Sequence, residues 1–581
     1  MNLLFDIETD AIDATKIWCI VAYDVDKKEV SSFGPDNIES GVEYLSKANK
    51  LIGHNILGFD IPVIEKLYGV DLIENKIIRD TLVLSRLFNP NREGSHSLEA
   101  WGYRLGHQKK EFKDFEKYSK EMLQYCINDV MLNYKVYRRL AVESKGFSSK
   151  SISLEHAVAS KIHEMRTHGF LLDVKECTLL NAHLLDELTA TSKEVRKEFK
   201  PKEETYILRS VYNNDGKLSK FGFCRELNKR LRLTPEEYEE ISKNSKTTRT
   251  ITTEFNLGSR KQIGEYLIDF GWKPDKFTPT GQPMVDEKIL NKIDSIPQAK
   301  LIAKYLMLQK RIAQLTSWLK EVKHDDRVRG YVNSNGAVTG RMTHSNPNTA
   351  QIPSLSAQYG KECRACWTVP EGYKLVGIDA SQLELRLLAH YMDDKEYINE
   401  IINGDIHTTN QKLAGLKSRN QAKTFIYALI YGAANAKLGT VAGGGSKLGR
   451  QLRESFLHSL PSFKHLTNRV SRASSKGSIK GLDGRKLWIR SSHSALNTLL
   501  QGAGAIAMKQ ALLLFLDYTK NLNVNVVANV HDEWQVEVPE EYAEEAGKMG
   551  VLAIQNAATA LKLNCPLDGE YKIGNNWSET H

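Results

Sequence analysis

At 581 residues the chain is too long for one hydrophobic core and implies three to five domains of about 100 to 200 residues each. With 41% hydrophobic and 26% charged residues it is neither disordered nor fibrous, and no apolar run approaches the roughly 20 residues of a membrane span. The formal charge of +9 leans toward a polyanionic partner. Seven cysteines, an odd number scattered from Cys19 to Cys565, speak for a reducing compartment rather than a disulfide framework. Cys363 and Cys366 in CRAC have metal-ligand spacing, but no second Cys or His pair stands close by. The N-terminal MNLLFDIETD has neither the basic start nor the apolar stretch of a secretory signal, so a cytoplasmic protein is expected.

The first ~145 residues alternate strand-like runs (NLLFDIET, IWCIVAYDV, NKLIGHN) with helix-like ones (MLQYCINDVMLNYKVYRRL), the pattern of an α/β domain. In FDIET the strand period of two turns Phe5 and Ile7 into the core and leaves Asp6 and Glu8 on one face. HNILGFD supplies Asp60, and YCINDV places Tyr125 and Asp129 four residues apart, on one side of a helix. Singly, each acid reads as solvated surface. Converging, they would repel one another unless divalent cations neutralised them, and two metals about 4 Å apart hydrolyse phosphodiesters.

From about Ser151 to Lys323 long amphipathic helices dominate, ending in PQAKLIAKYLMLQKRIAQLTSWLKEVK, and a polar, weakly periodic stretch at about 200–254 reads as an insertion or mobile subdomain. From Tyr331 strands and helices mix again, with a Gly-rich break at VAGGGSKLG. KLVGIDASQLELRLLAH reads as a buried strand ending at Asp379, followed by a helix. SRNQAKTFIYALIYG reads as a helix with Arg419, Lys423 and Tyr427 on one face, each step of four advancing about 6 Å. Two cations near a helix N-terminus suit a triphosphate, and the ring one turn further on would meet sugar and base. VANVHDEW is an apolar hairpin with His531, Asp532 and Glu533 at its tip.

In the first domain the order Asp-x-Glu, His-Asn-x-x-x-Phe-Asp, Tyr-x-x-x-Asp resembles the DEDD-type 3′→5′ exonucleases in their tyrosine version, with DTLVLSRL and GSHSLEAWGYRLG where that fold carries intervening helices. The resemblance implies that Asp6, Glu8, Asp60 and Asp129 hold two Mg²⁺ ions and that Tyr125 orients the attacking water. The later motifs resemble the family A (polymerase I-like) DNA polymerases: Asp379 in motif A, Arg419, Lys423, Tyr427, Tyr431 and Gly432 in motif B, Asp532 in motif C. The likeness is greatest to the replicative polymerases of short-tailed podophages, through NGAVTGRMTHSNPNTAQIP, GDIHTTNQKLAGL, GLDGRK, SALNTLLQGAGA and GNNWSETH, and it extends to FNLGSRKQIGEYL and TPTGQPMVDEKIL.

The implied fold class is a multidomain α/β chain. A ribonuclease H-like exonuclease domain (1–145) precedes a right-hand polymerase: helical thumb (146–330) with the insert at about 200–254, antiparallel-sheet palm (331–404), helical fingers (405–484), then the end of the fingers and the second part of the palm (485–581). The implied reaction is primer-dependent DNA synthesis from dNTPs with proofreading. Asp379, Ala380 and Asp532 would be ligands of two Mg²⁺ ions, for which Mn²⁺ can substitute, and Lys423 would join the catalysis. Arg419, Lys423, Tyr427, His407 and Glu384 would contact the nucleotide, with Glu384 a steric gate against a ribose 2′-hydroxyl. Arg341, Gln351, Gln501, Tyr431, Gly432 and His531 would contact primer-template DNA, the first three along the minor groove, while Glu533 and His531 would support the primer end.

Implied partners are a replicative helicase-primase and a single-strand binding protein in the cytoplasm of an infected bacterium. Podophage polymerases that recruit host thioredoxin carry a longer, proline-rich basic insertion in the thumb. The 200–254 stretch is shorter and mixed in charge, which leaves thioredoxin dependence open. Two other readings compete. An exonuclease with a scaffolding C-terminal half would not need Asp379, Asp532 and Lys423, all of which are present, and a templated RNA polymerase would not need Glu384.

Overall fold

The computed structural model describes every residue except Gln108, Lys110 and Glu111. It forms two compact units, one of Met1–Val174 with Lys320–His581, the other of Lys175–Leu319.

In the larger unit the N-terminal strand Asn2–Thr9 is the centre of a five-stranded sheet, ordered Glu29–Phe33, Ile17–Asp24, Asn2–Thr9, Lys50–Gly53, Ile77–Asp80. The first three strands are antiparallel and the last two join parallel. Phe5 and Ile7 go into a core with Leu51 and Ile61, as the period-two pattern requires. The helix Lys120–Glu143 starts where Ser119 accepts the amide of Met122, and it packs Cys126 and Val130 against Leu4, Val21 and Ile52. That packing directs the helix positions beside Cys126 toward the carboxyl end of the central strand.

A second sheet, wholly antiparallel, runs Asn525–Val530, Glu533–Pro539, Tyr373–Ala380, Gly569–Gly574. The helix Ala543–Ala560 lies against it and packs on the helix Ala495–Tyr518. Ala495–Tyr518 corrects one expectation. Among the described residues, 492–518 is long and apolar enough for a membrane span, yet most of it is buried in this core, since a helix covered on all sides is apolar all round. Helices Ile406–Ala414, Arg419–Ile430, Asn435–Val441, Ser446–Ser459 and Pro461–Ser474 follow one another, with Gly443 at a φ of 78° turning the chain in the Gly-rich break.

The helix Ser149–His168 packs on Thr81–Phe88, on Ala495–Tyr518 and on the strand Asn525–Val530, so residues after 146 do not yet leave the larger unit as the expected thumb boundary had it. At this junction Glu155 accepts from Arg485 Nη1 at 2.6 Å and from Lys509 Nζ at 2.7 Å, and Arg485 Nη2 reaches Asp483 at 2.6 Å. All four side chains are buried.

The smaller unit is not wholly helical. Within 200–254 the chain folds into an antiparallel sheet ordered Lys246–Thr253, Lys202–Arg209, Phe221–Cys224, Lys229–Arg232, with a helix Pro235–Asn244 held by a Thr234–Glu237 capping box. Its core is small, around Leu208, Cys224 and Ile241. In KEETYILR only Leu208 is buried, and so little apolar alternation leaves no strand signal in the sequence. A second core joins Val195 and Phe199 to Ile263, Leu267, Ala299 and Ile302.

Candidate active sites

Two groups of acids lie at strand ends of the larger unit. In the first, Asp6 and Glu8 share a face of the central strand, Asp60 opens the helix Asp60–Tyr68 and accepts the amide of Ile7 at 3.1 Å, and Asp129 comes from Lys120–Glu143. Burial, then repulsion from Asp60, Glu8 and Asp129, holds the Asp6 carboxyl well above the carboxylate range. Glu8 is pushed up to about 9, by burial first and then by Cys19 and Asp129. Burial carries Asp60 to about 7 against the Ile7 hydrogen bond, and it raises Asp129 against the pull of Lys109.

Lys109 and Cys126 are absent from the sequence reading of this group. Lys109 Nζ lies 2.7 Å from Asp129 Oδ2 and 5.0 Å from the centroid of the Tyr125 ring, and Asp129 outweighs the effect of burial to hold its ammonium above its ordinary value. Cys126 Sγ lies 3.6 Å from the Asp6 carbonyl, and one ligand atom each from Asp6, Glu8 and Cys126 falls within 4.8 Å of the others. Its place next to Tyr125 on an inward helix face was the available signal. Asp129 Oδ1 is buried without a hydrogen-bond partner among the described residues. Four acids against one ammonium, with an unmet carboxylate oxygen, fit a divalent cation.

In the second group the hairpin tip turns at His531, which takes a left-handed φ of 57°. The Ala380 amide donates to the Asp532 carbonyl at 3.1 Å, which fastens the tip to the end of Tyr373–Ala380. Asp379 stands opposite Glu533 and Glu570 in the sheet register. Although Asp379 is solvent-accessible, its carboxyl is pushed up to about 7, by incomplete hydration first and then by Glu533, Asp532 and Glu570. Burial also raises Asp532, opposed by Arg341, whose Nη2 lies 3.8 Å from Oδ1.

Glu533 departs from the expected tip residue. It begins the second hairpin strand, and its carboxylate accepts from Trp577 Nε1 at 2.9 Å and from Gln535, and pairs with His581 Nδ1 at 2.6 Å. Those partners overcome burial and hold it below its ordinary value. The tip thus presents one acid, Asp532, rather than two.

Arg341 Nη2 also pairs with Glu384 Oε1 at 3.3 Å, and the Tyr431 hydroxyl donates to Glu384 Oε2 at 2.8 Å. Burial raises the phenol of Tyr427, whose ring centroid is 6.4 Å from that of Tyr431, and Glu384 and Asp532 add to the shift. Its helix, Arg419–Ile430, is capped by Ser418 and buries Ala422, Phe425, Ile426 and Leu429 while Arg419 and Lys423 stay exposed and Tyr427 half-buried. Arg419 Nε is 2.6 Å from Asp405, the cap of the helix that carries His407. His407 is buried, Nδ1 has no hydrogen-bond partner among the described residues, and burial with Arg419 and Lys423 lowers its pKa.

Gly432 has a φ of 73°, and a Cβ there would meet the His493 carbonyl at 2.3 Å. No other residue closes this helix so tightly. The structure therefore gathers Asp379, Asp532, Glu384, Arg341, Tyr427 and Tyr431, and beside them Arg419, Lys423 and His407. Gln351 lies on the turn Thr349–Gln351, and Gln501 is half-buried on Ala495–Tyr518.

The model of DNA polymerase family A matches residues 224–579. The chain is 33% identical to the DNA-directed DNA polymerases of Enterobacteria phage T3 and Escherichia phage T7, with 100% of each chain covered. Both alignments run over 712 positions, so these relatives carry segments that this chain lacks. It is 26% identical to DNA polymerase I of Aquifex aeolicus over 96% of this chain and 92% of that protein. A solved structure, the POL domain of Pol1 from M. smegmatis in complex with DNA primer-template and dNTP, superposes with a TM-score of 0.78 at 19% identity, covering 100% of this chain and 95% of that one. By the family model over more than half its length and by the two phage relatives over all of it, this chain belongs to DNA polymerase family A.

Proposed function

We propose that the chain carries out primer-dependent, template-directed DNA synthesis from dNTPs with 3′→5′ proofreading, in the replication of a phage genome. The observation that carries this is the meeting of Asp379 and Asp532, two raised carboxyls of which Asp532 is opposed by Arg341, beside a helix that presents Arg419, Lys423 and Tyr427 in a row. The right-hand layout with a ribonuclease H-like exonuclease domain, the fork partners and the bacterial cytoplasm remain parts of the same proposal, supported by likeness to the phage enzymes.

Asp379, Ala380 and Asp532 would hold Mg²⁺ or Mn²⁺, as would Asp6, Glu8, Asp60 and Asp129; bound there, the ions neutralise phosphate charge and lower the pKa of the attacking hydroxyl or water. In synthesis the primer 3′-oxygen bonds to the α-phosphorus as the bond to pyrophosphate breaks. Arg419, Lys423 and His407 bind the triphosphate, and Lys423 has a proton to give the leaving pyrophosphate. Tyr427 meets the sugar. Glu384, tied to Tyr431 and Arg341, is fixed where a 2′-hydroxyl would collide. Arg341, Gln351 and Gln501, with Tyr431, Gly432 and His531, hold the primer-template. In excision a water oriented by Tyr125 attacks the terminal phosphodiester, and the bond to the 3′-oxygen breaks.

Primer extension and, without dNTPs, primer degradation test both halves. Asp532→Ala should abolish extension and spare degradation, and Asp6→Ala with Glu8→Ala should do the reverse. Parallel loss of both activities in either variant would defeat the assignment of two sites. Adding thioredoxin to the wild type on a long template decides whether that partner lengthens the product.

A further inference from the structure

Position 126 lies where an apolar layer ends and the first acid group begins. On the helix Lys120–Glu143 it stands three residues before Asp129, hence on the same face, and it packs with Leu4, Cys19, Val21 and Ile52. A small apolar side chain would complete that layer as well as a thiol does. The thiol, however, donates to the Asp6 carbonyl, and its sulfur and one oxygen each of Asp6 and Glu8 lie within 4.8 Å of one another. Asp129, whose charge acts on both of these acids, leaves Oδ1 buried and without a hydrogen-bond partner among the described residues.

Two carboxylates and a sulfur are a different donor set from carboxylates alone. Mg²⁺ takes oxygen and gains nothing from a thiolate, whereas Zn²⁺ binds sulfur at about 2.3 Å and oxygen at about 2.0 Å. Ligands at those distances from one tetrahedral ion stand roughly 3.5 Å apart, so small side-chain rotations would close the set.

We propose that Asp6, Glu8 and Cys126 form a site for a thiophilic divalent ion of the Zn²⁺ class, with Asp129 Oδ1 as a further oxygen. The inference rests on the reading of this cluster as a cation site and is independent of what the site cleaves. On binding, the thiol proton passes to water and a sulfur lone pair bonds the ion, with no change of oxidation state. Among the described residues no sulfur joins Asp379 and Asp532 in a comparable group. Such an ion therefore tells the two acid sites apart: Cys126 lets it compete with Mg²⁺ at the N-terminal cluster and gives it no advantage at the other.

The test uses the full-length protein with Co²⁺ as the probe, since cobalt takes zinc sites and absorbs in the near ultraviolet through charge transfer when sulfur is a ligand. The wild type should show that band. Cys126→Ala, and separately Asp6→Ala with Glu8→Ala, should lose it at an unchanged melting temperature. Should Cys126→Ala lower the melting temperature, Cys126→Ser keeps the volume and still removes the sulfur. A band that survives the loss of Cys126 comes from another sulfur and overturns the proposal, as does one that survives the loss of the acids. Zn²⁺ added at the same concentration as Co²⁺ should bleach the band and Mg²⁺ should not, and equal bleaching overturns the assigned preference. If no band forms while Mg²⁺ still raises the melting temperature of the wild type more than that of Asp6→Ala with Glu8→Ala, the proposal fails alone. If no band forms and Mg²⁺ raises both equally, the reading of the acids as a cation site falls with it.

Discussion

Two buried charge clusters in the larger unit are built from similar residues to opposite effect. At the junction Glu155 and Asp483 face Arg485 and Lys509, two acids against two bases, and although burial alone would raise Glu155, Lys509 and Arg485 hold its carboxyl below the ordinary value. At the N-terminal sheet Asp6, Glu8, Asp60 and Asp129 have Lys109 as their one ion-pair partner among the described residues, and every one of these carboxyls is raised. Charge balance separates them. The balanced cluster is complete within the protein and fixes geometry, whereas the unbalanced one keeps an excess of acids that fits the divalent cations proposed above.

The largest effect that could break this contrast is catalytic. Asp6→Ala with Glu8→Ala should lower the degradation rate by at least about three orders of magnitude while leaving the metal-free melting temperature equal or higher, because the change removes repulsion. A marked drop in melting temperature would show that the acids hold the fold together after all. Next, Glu155→Ala should destabilise the protein by about 3 to 5 kcal/mol in denaturant titration, with no recovery on adding Mg²⁺, since Arg485 and Lys509 would be left buried without their acid. Near-native stability would remove the structural role of the balanced cluster.

The third effect is a dependence on pH. Glu8 and Asp60 have folded pKa values raised to about 9 and about 7 from 4.5 and 3.8, so between those limits the folded state binds more protons than the unfolded state and stability falls as pH rises. In chelator the melting temperature should therefore decline from about pH 5 to about pH 9, and Mg²⁺ should raise it more at the upper end. An equal Mg²⁺ effect at both ends would contradict the crowding of these acids. The smallest effect is that of Lys109→Met, which should cost at most about 1 kcal/mol in chelator, since the Lys109 side chain is 28% exposed, and less when Mg²⁺ takes over the neutralisation.

What could be read from the sequence was what local periodicity controls. Asp6 and Glu8 share a face because strands alternate, and Arg419, Lys423 and Tyr427 share one because helices repeat every 3.6 residues. Partners brought from elsewhere in the chain were not legible. Nothing in VHDE announces that Trp577 and His581 will claim Glu533, nor does YCINDV announce Lys109. The sheet at 202–253 escaped notice because its strands expose most of both faces. The boundary at 146 was placed where alternating strand and helix patterns give way to long amphipathic helices, whereas Ser149–His168 owes its allegiance to long-range packing.

The strength of that packing bears on how this polymerase could be divided. A fragment beginning at residue 146 would strip Trp488 Nε1 of the Phe88 carbonyl it meets at 2.9 Å, Asn335 of its bond to Val83, and Arg86 from Asn333. The freed polar groups would be rehydrated, but Phe147 and Ile152, which pack on the cluster that holds Phe88, would be left bare to water. A soluble polymerase without its N-terminal region is thus a redesign problem at this surface rather than a matter of choosing a cleavage point.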